Sequence, residues 1–253
     1  SAIMAAMPNV ARYVTDAQGV RADPIADAGY RILAIGGSTT ACGALDTDQM
    51  WTHRLQALLS ERKPQLRPWV GNAGKDGLAS RHHLVTMDRF VPRQPHVDAV
   101  LLLAGVNDLL KFLAGDEGHR ALTVAQIAND PETLRKTFAI LPPELSGAPW
   151  YTRLGLWRLG SMVADGAKHQ PPVDPYTALT SARERRRGAR VVRTALPDLQ
   201  PALEEYERNL DAIIDRGAVL GLRVILLTQP VLWKAVMTAD ESSALMFGFV
   251  GRD

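Results

Sequence analysis

Apolar residues in this chain come in two rhythms, short unbroken runs and longer stretches spaced by three or four, and the two alternate. Arg31 to Ile35 (RILAI) is an apolar, partly β-branched run that predicts a buried strand, broken at Gly36-Gly37. Behind cap residues Asp46 to Asp48, Trp51, Leu55, Leu58 and Leu59 recur at helical spacing until Pro64 stops them. Arg67 to Val70 predicts a second, short strand, and Leu84, Met87 and Val91 mark one face of a second helix ending at Pro92. Asp98 to Ala104 (DAVLLLA) is the clearest strand, continuous enough to be buried on both faces. Leu203, Tyr206, Leu210, Ile213 and Ile214 then form an amphipathic helix, and Arg223 to Thr228 (RVILLT) a fourth strand before Gln229-Pro230. Strand and helix in alternation predict a doubly wound parallel α/β sheet with helices on both faces, in which ligands sit beyond the carboxyl ends of the strands.

Two stretches depart from this rhythm. Residues Ser1 to Gly29 are Ala-rich and mixed, and read as an extended or partly helical lead-in. Between Leu109 and Pro201 the pattern loosens around Pro142-Pro143, Pro171-Pro172, Trp150 and Trp157. Residues 109–200 are therefore expected to be an insertion or lid over part of the sheet's carboxyl edge, within one domain spanning 1–253. The basic run Arg183 to Arg187 reads as a solvated helix face.

Composition narrows the function classes. With 29 Lys and Arg against 27 Asp and Glu, the net charge of +2 makes no case for nucleic acid or an acidic polymer as partner. Cys42 is the only cysteine, so neither an intrachain disulfide nor a multi-cysteine metal site can form, and it reads as small filler at a helix start. No run is apolar and long enough for a transmembrane segment, and no signal peptide is visible. The chain begins with Ser1 rather than Met, which leaves its localisation open.

The candidate chemistry sits where strands end. Gly36-Gly37-Ser38-Thr39 follows the first strand, a place where a strand fixes a serine and glycines allow close approach, so Ser38 is a candidate nucleophile. The same stretch also reads as an ordinary βα turn with a Ser or Thr cap, or as a phosphate cradle. No Walker lysine and no G-x-G-x-x-G support the nucleotide versions. Gly71-Asn72-Ala73-Gly74 follows the second strand and Gly105-Val106-Asn107-Asp108 the third. Parallel topology brings all three loops to one edge, where a backbone N–H at Gly74 and the Asn107 side-chain amide meet the needs of an oxyanion. Taken singly, Asn72 and Gly74 also read as turn residues, and Asn107-Asp108 as helix caps.

The order of these blocks resembles the SGNH hydrolase superfamily, the GDSL-type esterases and lipases. IGGSTT looks like its first block, NAG like its second, GVND like its third, and LLTQPVLW is a weaker fourth match. The resemblance implies a flavodoxin-like three-layer fold and a serine ester hydrolase. Ser38 is then the nucleophile, and the Gly74 N–H, Asn107 and the Ser38 N–H hold the oxyanion, while a histidine oriented by an aspartate moves the proton. It implies no metal and no organic cofactor, and small-molecule or carbohydrate esters with short acyl or O-acetyl groups as substrates.

Two departures stand against it. Gly37 occupies the place of the family's Asp, and no D-x-x-H follows the fourth strand. All six histidines, His53, His82, His83, His96, His119 and His169, precede that position. The one literal match, Asp116-Glu117-Gly118-His119, falls just past Asn107, and His82 and His83 open the second helix, where they read as surface or cap residues. The chain is accordingly expected to be C-terminally incomplete. The competing readings are an inactive SGNH-like ligand-binding protein that lacks the histidine and, third, a phosphate or nucleotide binder built on GGSTT.

Overall fold

A computed structural model of the chain describes residues 14–23, 28–113, 122–138, 180–181, 183–184, 187–188, 191–192, 198–229, 236–245 and 249–250. The structure divides into two units, one formed by residues 1–139 and 199–229, the other by 140–198 and 230–253. His119 and His169, the Asp116 to His119 match, and most of the Leu109 to Pro201 segment lie outside the described residues.

The first unit holds a four-stranded, all-parallel sheet: β1 (Tyr30–Gly36), β2 (Pro68–Asn72), β3 (Ala99–Leu103) and, further along the chain, the strand Arg223–Leu227. Its spatial order is β2, β1, β3, then Arg223–Leu227, the doubly wound, flavodoxin-like arrangement predicted above. The chain leaves β1 toward one side for β2 and returns to the other side for β3, so the topological switch point lies between the carboxyl ends of β1 and β3.

Strand periodicity sorts the side chains. Ile32 and Ala34 of β1, Val70, Ala99 and Leu101 form one buried face, against which Trp51, Leu55 and Leu59 of the helix Trp51–Arg62 pack. Leu33, Ile35, Val100 and Leu102, all buried, point the other way. On that side the helix Ser80–Arg89 reaches β1 and packs against the helix Gln200–Val219. The β3 residues AVLLL are buried throughout, whereas Ile225 and Leu226 of Arg223–Leu227, the edge strand, are 39% and 47% exposed.

The expected insertion begins inside this unit. The short helix Val124–Ile127 and the helix Pro131–Phe138 bury Leu122, Ile127 and Leu134 and pack on Ser80–Arg89. The lead-in is tied down as well: Arg21 pairs in a single antiparallel bridge with Asn72 and is fully buried. In the second unit, the strands Val191–Val192 and Phe249–Val250 pair antiparallel, and Thr238 caps the helix Ala239–Ala244 by accepting from the Glu241 N–H. Among the described residues no helix is long and apolar enough to cross a membrane.

Candidate functional site

β1 ends at Gly36, and the chain turns at once into the single helical turn Ser38–Ala41, with the Gly37 carbonyl accepting from the Thr40 and Ala41 N–H groups. Ser38 and Thr39 are exposed at the carboxyl edge, while Gly37 and Thr40 are buried beneath them. No described residue hydrogen-bonds the Ser38 hydroxyl or its N–H. The back of this turn is clamped by buried Arg21, whose guanidinium donates to the carbonyls of Ala41 (2.8 Å), Cys42 (3.2 Å) and Leu45 (2.8 Å). Cys42 closes the turn in a left-handed conformation, its thiol donating to the Thr39 carbonyl; burial raises its pKa.

Asn107 comes to this turn from β3. It lies in the first turn of the helix Val106–Leu113, and its Nδ2 donates to the Leu78 carbonyl at 2.8 Å. A methyl group at Gly37 would lie 2.6 Å from Asn107 Nδ2 and 3.6 Å from the Leu78 carbonyl. The Asn107 amide is thus packed against the residue that precedes Ser38.

The aspartate of GVND serves the scaffold. Asp108 accepts from the Ser80 N–H (2.9 and 3.0 Å) and the Ser80 hydroxyl (2.5 Å), and the Ser80 hydroxyl accepts from Asn209 Nδ2 at 2.8 Å. This network joins three helices and holds the one that carries Asn107. Burial raises the Asp108 pKa, and the bonds from Ser80 partly offset it. The Arg81–Glu205 ion pair at 2.7 Å, largely buried, reinforces the same helix junction.

The loop after β2 behaves differently from its sequence reading. Gly74 lies against the far side of the turn that Ser38 opens: a methyl group there would overlap the backbone of Thr40 and Ala41. Its N–H, however, is donated to Asn72 Oδ1 at 2.9 Å, an Asx turn two residues long. Asn72 is itself buried and donates to the Thr40 carbonyl at 2.6 Å. The Gly74 N–H expected at the oxyanion therefore closes the loop instead, since buried Asn72 needs a donor for its carbonyl oxygen.

The loop holds a second glycine that sequence reasoning passed over. Gly77 adopts φ +70°, a conformation glycine tolerates at little cost, and no described residue accepts its N–H. It immediately precedes Leu78, whose carbonyl holds Asn107. The signal available in the sequence was GNAGKDG itself, with a glycine at each end of the turn.

Among the described residues no histidine hydrogen-bonds Ser38. His82 and His83 are buried rather than at the surface. His82 keeps the cap role, its Nδ1 accepting from the Ala79 N–H at 3.0 Å. Burial, with Lys111 and Lys136 nearby, lowers its pKa to about 2; burial and Lys111 lower that of His83 to about 4. Both imidazoles are neutral. His96 pairs with Asp98 at 2.8 Å and His53 with Asp23 at 3.2 Å, but Asp98 opens β3 at the amino end of the sheet, opposite Ser38. From the fourth strand Gln229 does reach the site loop, its Nε2 donating to Thr39 Oγ1 at 2.8 Å. Among the described residues no group of three His, Cys, Asp or Glu side chains could hold a metal ion.

No family model and no curated protein matches the sequence. Among solved structures, the chain is similar to Axe2, an acetylxylan esterase from Geobacillus stearothermophilus, at 26% identity and a TM-score of 0.29. The match covers 36% of this chain and 45% of the esterase, so the chain spans less than half of that enzyme's length. It is also similar to LAE5, an alpha/beta hydrolase enzyme from the metagenome of Lake Arreo, Spain (16% identity, 78% of this chain and 77% of that one, TM-score 0.30). A third similar structure, over 78% of this chain and 96% of that one at 18% identity and a TM-score of 0.32, is AlinE4, an SGNH-hydrolase family esterase.

Proposed function

We propose that the chain is a serine ester hydrolase acting at the carboxyl edge of its parallel sheet, on short acyl or O-acetyl esters of small or carbohydrate alcohols. The observation that carries this reading is the packing of the Asn107 amide against Gly37, beside an exposed Ser38 with an unengaged hydroxyl, at the switch point between β1 and β3. A hydroxyl and a side-chain N–H donor held by separate strand ends are what attack on a carbonyl requires.

In this mechanism Ser38 Oγ adds to the ester carbonyl and gives its proton to a base. The Asn107 Nδ2, the Ser38 N–H and the Gly77 N–H donate to the resulting oxyanion. Collapse expels the alcohol, which takes the proton, and water then cleaves the acyl-serine to the carboxylic acid. Gly77 replaces Gly74 as the loop's donor because its N–H is unengaged and its conformation is the one that glycine permits. The base implied by the SGNH resemblance is a histidine held by an aspartate; among the described residues none touches Ser38.

That last observation favours a second reading, a ligand-binding protein of the same fold without turnover. Labelling with a fluorophosphonate probe, read by intact mass with and without Ser38→Ala, separates the two. Stoichiometric labelling lost in the variant is the result expected of the hydrolase; an unlabelled wild-type chain would overturn it in favour of binding alone.

A further inference from the structure

The direction in which the chain leaves β3 decides where the Asn107 amide stands, and that direction is set at one residue. Gly105, two residues past the end of β3, has φ +117°, where a side chain would be strained. Its carbonyl accepts from the Leu109 N–H at 3.0 Å, the bond that opens the helix Val106–Leu113. Asn107 lies in the turn this bond closes, so rotation at Gly105 carries its amide along. Glycine takes either sign of φ at little cost, so the observed conformation has to be held by something outside the residue.

Tyr206 stands at that place. It belongs to the helix Gln200–Val219, which packs against Val106–Leu113. A methyl group at Gly105 would lie 3.1 Å from Tyr206 Oη, 3.4 Å from Cζ and 3.7 Å from Cε2, so the end of the phenol fills the side of Gly105 that a β-carbon would take. The hydroxyl also donates to the Ala104 carbonyl at 3.3 Å, long for a bond from O–H, so packing is the larger part of the contact. Burial and Asp108 raise the Tyr206 pKa, which keeps the phenol protonated. Asn209, three residues further along the same helix face, donates to the Ser80 hydroxyl that bonds Asp108. One helix face thus meets the GVND block on both sides of Asn107, at Gly105 through Tyr206 and at Asp108 through Ser80.

We propose that Tyr206 is the positioning residue for the Asn107 donor: its phenol closes the open side of Gly105, so that the turn after β3 keeps one direction and the Asn107 amide stays against Gly37. Tyr206 touches no reacting atom in this scheme and acts only through Asn107. The proposal rests on the hydrolase reading of Ser38 and Asn107, and adds to it the residue that keeps the side-chain oxyanion donor in place.

A double-mutant cycle on a chromogenic acetate ester tests it. Tyr206→Leu should lower kcat about tenfold with KM little changed, because a displaced donor loses part of the roughly 10²- to 10³-fold that a whole oxyanion donor supplies. Tyr206→Phe keeps the ring and should bring kcat back to within about threefold of the wild type. In the Asn107→Ala background, Tyr206→Leu should cost nothing further, since the group it positions is gone. An unchanged kcat in Tyr206→Leu, or a loss that multiplies with that of Asn107→Ala, would overturn the proposal; the second is what a merely structural tyrosine gives. If the wild-type chain hydrolyses no ester, it is the hydrolase reading that fails, and the nuclear Overhauser contact between the Asn107 side-chain amide and the Gly37 α-protons decides the positioning. That contact should be present in the wild type, weakened in Tyr206→Leu and restored in Tyr206→Phe. A contact absent from the wild type, or untouched by Tyr206→Leu, refutes the role. Should Tyr206→Leu not fold, Tyr206→Met, a longer side chain without the ring, takes its place in both measurements.

Discussion

The two ends of the sheet carry histidines of opposite character. At the carboxyl end, where Ser38 and Asn107 meet, His82 and His83 are buried and neutral; at the amino end His96 is 71% exposed and holds Asp98 in an ion pair. A His–Asp pair is the arrangement expected of a catalytic base, yet this one sits a full strand length from the exposed serine. The residue types that mark a site are therefore present at both ends. What separates the ends is what stands there: at the carboxyl end an exposed Ser38 with the Asn107 amide packed against Gly37, at the amino end an ion pair between His96 and Asp98.

The contrast can be broken or sharpened by substitution, most strongly at Ser38. Ser38→Ala should lower ester turnover by on the order of 10⁴-fold or more, measured as kcat on a chromogenic acetate ester. Asn107→Ala should cost about 10²- to 10³-fold in kcat with little change in KM, the loss of one oxyanion donor. Asp108→Ala strands the Ser80 N–H and hydroxyl in a buried junction and should destabilise the fold by roughly 2 kcal/mol in urea denaturation.

Acid sharpens the comparison further. In the unfolded chain His82 and His83 take up protons as pH falls through the ordinary histidine value, about 6.5. The folded chain keeps them neutral down to about 4 for His83 and about 2 for His82. The unfolded state therefore binds more protons over this window, so stability is fully present above pH about 6.5 and declines below it, by roughly 1 kcal/mol per pH unit for each histidine. Asp108, whose pKa is raised in the fold, opposes this decline at the acid end of the window. Urea midpoints from pH 4.5 to 7 should show the slope, and His83→Leu should reduce it by about half. The smallest effect belongs to the amino end, where His96→Ala should change stability by no more than about 0.5 kcal/mol and leave turnover as it was, because an exposed ion pair contributes little.

Much of this architecture was legible in the chain. The apolar runs at Arg31 to Ile35, Asp98 to Ala104 and Arg223 to Thr228 became parallel strands within a residue or two of their expected bounds, because an apolar run between turn residues has few other ways to be buried. That Ser38, the loop after β2 and Asn107 share one edge followed from the alternation of strand and helix alone. The role of Asp108 was not legible, since its partner Ser80 lies 28 residues away and Asn209 a further 129 from Ser80. The histidines of Ser80–Arg89 were misplaced at the surface for a similar reason: their burial depends on Gln200–Val219 and Pro131–Phe138 packing over them, which no local pattern states.

The sequence by itself determined which residues become strands, which loops follow them and that the polar groups of those loops gather at one edge, since period and turn chemistry are local properties. Tertiary structure alone decided which of those groups stay available. Gly74 and Gly77 sit three positions apart in one loop, and only the folded chain, with Asn72 buried and in want of a donor, takes the N–H of the first and leaves that of the second. The strands AVLLL and RVILL are nearly interchangeable as text, but one is covered on both faces and the other is an exposed edge, because burial belongs to neighbours rather than to residues.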